Sequence, residues 1–79
     1  MEFFSKPVST IEEAKAGFEH KLFIVSGLWL TESGEYVISD FRSMKNYPPD
    51  SAEVESVEKY TGNKLIEVCD PLLGVWSKW

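Results

Sequence analysis

The chain has 79 residues, of which 43% are hydrophobic and 27% are charged, and its formal net charge is −5. This composition is typical of a single small globular domain spanning residues 1–79 and excludes a largely disordered chain. The basic residues are scattered rather than clustered, so we expect no direct nucleic-acid binding. The negative charge favours a larger basic protein, or a nucleoprotein complex, as the partner.

Three features of the sequence predict a cytoplasmic location. The single Cys69 leaves no partner for an internal disulfide and fits a reducing compartment. Residues 1–6 lack the basic region and apolar core of a signal peptide. The longest apolar run, Leu22–Leu30, falls short of the ~20 residues that cross a bilayer. We therefore expect no membrane contact.

The first predicted elements are a short strand and a helix. Glu2–Phe4 favours a strand, which Pro7 ends because proline donates no hydrogen bond to a ladder. Ser9 and Thr10 are both good helix N-caps, each with a glutamate three residues on. The helix ends near residues 19–20. Its apolar stripe consists of Ile11, Ala14 and Phe18.

A β-hairpin is predicted at the centre of the chain. Leu22–Thr31 is rich in branched and aromatic residues. It is apolar at both odd-numbered and even-numbered positions, which is typical of a central strand. Tyr36–Phe41 is the returning strand, after a tight turn at Ser33 and Gly34 in which glycine adopts a positive φ. With Glu32 opposite Glu35, the register places Trp29 opposite Ile38 and Gly27 opposite Asp40.

This register divides the hairpin side chains between two faces of the sheet. One face carries no charge and is expected to meet the core. The other is aromatic and apolar but includes two charges, which is typical of a surface that meets a partner or a second subunit. The alternative is that the C-terminal tail covers it. The members of this second face are Phe23, Val25, Gly27, Trp29, Tyr36, Ile38, Asp40 and Arg42.

A second helix and a further strand complete the predicted fold. Asp50 caps the helix and Gly62 lies just past its end, where a left-handed residue is needed. Leu65–Cys69 is the next strand, and residues 72–79 form either a Trp-rich strand or an apolar tail. The resulting α+β order, βαββαβ, predicts a ferredoxin-like antiparallel sheet with two helices on one face. Without the first strand, the fold becomes a plain α+β meander.

No arrangement of residues predicts catalysis, a metal site or a cofactor. His20 lies at a predicted helix end without an oriented partner, and Cys69 is expected to be buried and inert. The sequence lacks a glycine-rich phosphate loop, and it has neither zinc-type nor EF-hand spacing. We therefore expect a protein that is not an enzyme and binds no cofactor.

Aromatic residues on the hairpin and at the C-terminus are the candidate contacts for a partner. Tryptophan is enriched at interface hot spots, although the tail can equally fold back and seal the sheet. Asp40 and Arg42, two residues apart among aromatics, can set the register of an interface or form an ordinary surface pair. The predicted partner-binding residues are Phe23, Trp29, Tyr36, Asp40, Arg42, Trp76 and Trp79.

The first functional hypothesis is therefore a non-enzymatic interaction module, a small acidic inhibitor or regulator. Small inhibitors encoded by phages or mobile elements share this size and charge, which is an analogy only. The alternative is a ferredoxin-like dimer that binds a small molecule, or a small enzyme, with a site on the open sheet face near Phe23, Trp29, Tyr36 and His20. Single-stranded nucleic acid would find stacking groups there but no basic groove.

Overall fold

A computed structural model describes residues 3–41 and 47–79. The α+β class and the predicted chain order are confirmed, with one further short strand at the C-terminus. Arg42, predicted to contact a partner, and most of the connector before the second helix lie outside the described residues. The elements are β1 (Phe3–Phe4), α1 (Ile11–Ala16), β2 (Val25–Leu30), β3 (Tyr36–Phe41), α2 (Ser51–Thr61), β4 (Lys64–Cys69) and β5 (Trp76–Lys78).

The strands form one antiparallel sheet in the order β1-β3-β2-β4-β5. β2 lies at the centre and pairs with β3 and β4, as its apolar residues at odd-numbered and even-numbered positions predict. The two edge strands are the shortest in the sheet, β1 with two residues and β5 with three. Short edges offer few unpaired backbone groups to another chain, which limits edge-to-edge association.

The two helices lie on opposite faces of the sheet, which corrects the prediction that they share one face. α1 packs against Leu28 and Ile38, whereas α2 packs against Trp29 and Val37. Neighbouring residues of a strand point to opposite faces. The sheet therefore has no open face, and the ferredoxin-like arrangement is not confirmed.

The strand order explains this placement of the helices. Each helix joins two parallel strands with one strand inserted between them: β3 separates β1 from β2, and β2 separates β3 from β4. Both crossovers move in the same direction across the sheet, but β1 and β3 run antiparallel. Crossovers of one hand must then place their helices on opposite faces. In a ferredoxin-like sheet the last strand instead pairs with β1, and both helices share a face.

The hairpin register differs by one residue from the predicted one. Trp29 lies opposite Val37, not Ile38, and Leu30 lies opposite Tyr36. The loop has three residues rather than two: the Thr31 N–H donates to the Glu35 carbonyl oxygen at 2.8 Å. Gly34 has the expected positive φ, 84°. A three-residue loop with a left-handed glycine shifts every pair of the hairpin by one position.

The core on the α2 side of the sheet is built around Trp29, which is fully buried. Its indole Nε1–H donates to the buried Ser39 hydroxyl at 2.8 Å, and Phe4 meets its ring edge-on at a centroid distance of 5.9 Å. α2 contributes Val54 and Val57. The other buried members of this cluster are Val25, Val37, Leu65 and Val68.

The core on the α1 side is smaller and has a polar margin. Its fully or nearly buried members are Ala14, Leu28 and Ile38. Partly buried side chains pack around them: Val8, Ile11, Phe18, Tyr36 and Trp76. This cluster therefore depends more on residues that retain contact with solvent than the α2-side cluster does.

Side-chain caps define the starts of both helices. The Asp50 side chain accepts a hydrogen bond from the Ala52 N–H, and the Thr10 side chain accepts one from the Glu13 N–H. Gly62 ends α2 with a φ of 78°, as predicted. α1 stops at Ala16, three residues before its predicted end, because Gly17 caps it. This early end releases residues 17–24 to form a loop before β2.

Candidate partner-binding surface

The predicted open aromatic face does not exist in the folded protein. Trp29 is fully buried beneath α2, so a partner cannot reach its side chain while the fold is intact. Tyr36 is partly buried and packs in the α1-side cluster. Because the two residues lie on opposite sheet faces, they form no common surface, and a ligand site combining them is excluded.

Asp40 lies on the α1 face and forms an ion pair with a residue that the sequence did not single out. The Asp40 Oδ2 is 2.9 Å from the Lys21 Nζ, and its Oδ1 accepts a hydrogen bond from the Ser26 hydroxyl at 3.3 Å. Its side chain retains 16% of its exposure. The predicted pairing of Asp40 with Arg42 involves a residue outside the described part of the chain.

The two C-terminal tryptophans have different surroundings. Trp76 is partly buried, meets the Phe18 ring edge-on at a centroid distance of 5.1 Å, and lies 5.7 Å from the Lys15 Nζ. Trp79 is more exposed, and its backbone N–H donates to the Ile66 carbonyl oxygen. Residues 76–78 thus extend the sheet, and of the two tryptophans Trp79 is the more accessible, with 43% of its surface exposed.

Phe23 is the most unusual exposed residue in the described chain. It has a φ of 67°, and it is the one residue other than glycine with a positive φ in the parts described. Its side chain is nevertheless 75% exposed. A left-handed conformation is unfavourable for a bulky L-residue and costs ~1–2 kcal/mol. The fold therefore holds an aromatic ring in solvent through a strained backbone.

Phe23 extends from one of two adjoining loops, whose exposed apolar residues together we call the corner patch. The Phe23 N–H donates to the Pro71 carbonyl oxygen at 3.0 Å, which joins the loop before β2 to the β4–β5 loop. The His20 Nε2 lies 3.0 Å from the same oxygen and donates to it in the Nε2-protonated tautomer. The corner patch consists of the exposed residues Leu22, Phe23, Leu72, Leu73 and Val75.

Asp70 forms several hydrogen bonds within the β4–β5 loop. Its Oδ1 accepts hydrogen bonds from the N–H groups of Leu72 and Leu73, at 2.8 and 3.1 Å, in the manner of an Asx turn. Its backbone also bonds to Gly74 and Val75. The loop therefore presents apolar side chains on a hydrogen-bonded backbone.

Gly74 allows the close approach of this loop to the loop before β2. It has a φ of 70°, and a Cβ atom added there would lie 3.0 Å from the His20 ring. Both the positive φ and the lack of space favour glycine at this position.

Sequence reasoning identified Phe23 but missed the other members of the corner patch. The sequence predicts Leu22 in a strand and residues 72–75 in a strand or tail, whereas both lie in loops. A signal was present: Asp70, Pro71 and Gly74 are turn formers that enclose apolar rather than polar residues. Apolar residues at a loop tip are unusual because loops face water, and they indicate a contact surface.

The two residues considered for catalysis lie in different surroundings: Cys69 is buried, and the His20 ring contacts the Pro71 carbonyl oxygen. Burial, followed by the effect of the neighbouring Asp70 carboxylate, raises the pKa of the Cys69 thiol. Within residues 3–41 and 47–79, no cluster of three or more potential metal ligands is found. Over the same residues, neither helix is long and apolar enough to cross a membrane.

Comparisons of the chain with known protein families, with curated proteins and with solved structures found no match in any of the three.

Proposed function

We propose that this protein is a non-enzymatic interaction module that binds a larger protein through the corner patch and thereby inhibits or regulates it. The observation that carries the proposal is Phe23, whose ring is 75% exposed on a backbone with a φ of 67°. Strained conformations persist where the surrounding structure imposes them, and they cluster at functional sites. Exposed, preorganised aromatic and leucine side chains are suited to filling apolar recesses on a partner.

The partner surface follows from the chemistry of the corner patch and of the whole chain. An apolar recess would receive Phe23 and Leu73, the latter 76% exposed. The net charge of −5 favours a partner that is basic around that recess, because complementary charge speeds association and disfavours wrong partners. We place the complex in the cytoplasm, where a free Cys69 persists in a reducing environment.

Substitution of Phe23 by glycine tests two points: that its backbone is strained, and that its ring contacts the partner. Removing an exposed ring costs little packing, and glycine adopts a φ of 67° freely. We expect Phe23→Gly to raise the free energy of unfolding by about 0.5–1 kcal/mol, measured by urea denaturation. The same variant should lose partner binding. A lower stability would show that Phe23 stabilises the fold instead, and an unchanged stability would show that its conformation carries no net strain.

The partner is identified by affinity capture from the lysate of the source cells, with nuclease treatment, and the complex is then rebuilt from purified proteins. Phe23→Gly and Leu73→Ser should each weaken the purified complex at least tenfold in Kd, because each removes an apolar contact. Tyr60→Ala is the matched control, since Tyr60 is also 75% exposed but lies on α2. Equal affinity of the wild type and both corner-patch variants would refute the proposal.

A further inference from the structure

A cleft on the α1 face is separate from the corner patch. It has a volume of about 470 Å³, within the range of small-ligand sites. It lies between α1, the segment that connects β1 to α1, and the end of β3. One part of its lining is apolar, formed by Val8, Ala14, Phe18 and Ile38, and Asp40 is among its polar residues. We call it the Asp40 cleft.

The two oxygens of Asp40 are held in different ways. Oδ1 accepts a hydrogen bond from Ser26, which is fully buried within β2 and therefore fixed by the fold. Oδ2 accepts one from the Lys21 ammonium, whose side chain is 50% exposed on a flexible stem. An ion pair with so exposed a lysine contributes little stability, so another cation can replace the ammonium at small cost.

The charges around the Asp40 cleft also favour a cation. Glu13 and Glu19 line it together with Asp40, whereas Lys6 and Lys21 are its only cationic lining residues in the described chain. If Lys21 turns out to solvent, the residues that line the cleft carry three negative charges and one positive charge. An anionic ligand would meet repulsion there, whereas a cation would gain attraction in a partly desolvated site.

We infer that the Asp40 cleft binds an organic cation with an apolar stem, an alkylguanidinium or alkylammonium group. The cation replaces the Lys21 ammonium on Asp40, and the stem lies against Phe18 and Ile38. A guanidinium suits the site best because its planar fork can donate to both carboxylate oxygens. Each carboxylate oxygen has two lone pairs, so the Ser26 hydrogen bond is retained.

Two sources can supply this chemistry: a free small molecule, or an arginine side chain on a protein. Segment 19–23 contributes Glu19 and Lys21 to the cleft and Leu22 and Phe23 to the corner patch. A protein seated on the corner patch would therefore have the cleft within reach. The inference does not depend on that arrangement, because the cleft and its charges stand without it.

The test is a calorimetric and NMR titration of the full chain with n-butylguanidinium, using the neutral isostere n-butylurea as the matched probe. We expect saturable binding of the cation, no binding of the urea, and shifts of the amide signals of Phe18 and Asp40. Absence of saturable binding in both the wild type and Lys21→Gln would overturn the inference.

Variants on the two sides of the ion pair should change affinity in opposite directions. Asp40→Asn removes the anchor and should weaken binding at least tenfold. Lys21→Gln removes the competing ammonium and should strengthen it severalfold. Glu53→Gln, which changes one exposed carboxylate on α2, is the control for net charge and should leave affinity unchanged. Equal affinities of all four proteins would show only nonspecific charge attraction and would refute the site.

A second titration with N-acetyl-arginine-methylamide distinguishes the two sources. Binding of both probes would support a recess that accepts an arginine side chain, because the blocked backbone must then remain outside the cleft. Binding of butylguanidinium alone would support a site closed around a free small molecule. Loss of partner binding in Phe23→Gly with unchanged binding of the cation would show that the cleft and the corner patch act separately.

Discussion

The two faces of the sheet differ in how they are covered. The α2 face has a core of buried, mostly β-branched residues around Trp29, beneath an 11-residue helix. The α1 face is covered by a six-residue helix and depends on partly buried side chains, and its margin contains an ion pair and the Asp40 cleft. The α2 face therefore has the larger set of buried side chains, and the α1 face has the larger share of side chains in contact with solvent.

The largest expected effect separates two tryptophans on opposite faces. Trp29→Ala should lower the free energy of unfolding by about 3–5 kcal/mol, because it leaves a cavity and removes the donor to Ser39. Trp76→Ala should cost only ~1–2 kcal/mol, because its indole is partly exposed. Urea denaturation measures both values.

The cost of Trp29→Ala is large against a total stability of ~5–15 kcal/mol, so that variant can fail to fold. Trp29→Phe is the second variant, because it keeps a ring in the core while losing the hydrogen bond to Ser39. Trp29→Phe should fold but be less stable than the wild type, because the buried Ser39 hydroxyl loses its donor. Similar costs for the two alanine variants would contradict the difference between the faces.

The helix caps give a smaller and more local test. Asp50→Ala should lower the free energy of unfolding by ~1 kcal/mol, because α2 belongs to the main core. Thr10→Ala should instead act by local opening, since α1 has only six residues. Hydrogen exchange should then speed up for the amides of α1 and remain unchanged for those of α2. Faster exchange in both helices would show that α1 unfolds only with the whole domain.

The smallest expected effect is the pH dependence contributed by Cys69, which lies on the α1 face opposite Ser26. Burial raises the pKa of its thiol, so the folded state keeps that proton to higher pH than the unfolded state does. Stability should therefore fall as pH rises above the ordinary thiol pKa. Urea denaturation at pH 7.5 and 9.5 should show a smaller loss for Cys69→Ala. An identical loss would exclude a contribution from the thiol.

The same thiol reports on the covering of the α1 face. At neutral pH we expect a thiol reagent to label folded Cys69 slowly, because the side chain is fully buried and little thiolate is present. Thr10→Ala should accelerate labelling if opening of α1 gives access to the thiol. Fast labelling of the wild type would show that this face is not closed in solution.

Local chemistry explains which parts of the fold were predictable. Thr10 and Asp50 cap helices because short polar side chains satisfy the first free N–H groups. Gly34 and Gly62 occupy left-handed positions that only glycine adopts without strain. The central position of β2 followed from its apolar residues at both odd-numbered and even-numbered positions. Each of these features depends on a few neighbouring residues.

The candidate surface was less predictable because it depends on which segments meet. The sequence predicts Phe23 as a contact residue on a strand face, whereas Phe23 lies in the loop before β2. Its neighbours in the corner patch come from a segment nearly 50 residues further on, joined through the Pro71 carbonyl oxygen. Nothing local in the sequence indicates that contact. Lys21, likewise, reaches Asp40 only through the folded hairpin.

The sequence by itself determined the order of the elements, the N-caps of both helices and the left-handed glycines Gly34 and Gly62, because these depend on short-range backbone and side-chain preferences. Only the folded structure revealed the length of the hairpin loop, with the one-residue shift that follows from it, and the partner of β4. Side chains alternate along a strand, so the shift moved Ile38 and Asp40 to the α1 face. The pairing of β4 with β2 placed the helices on opposite faces and closed the surface that the sequence had left open.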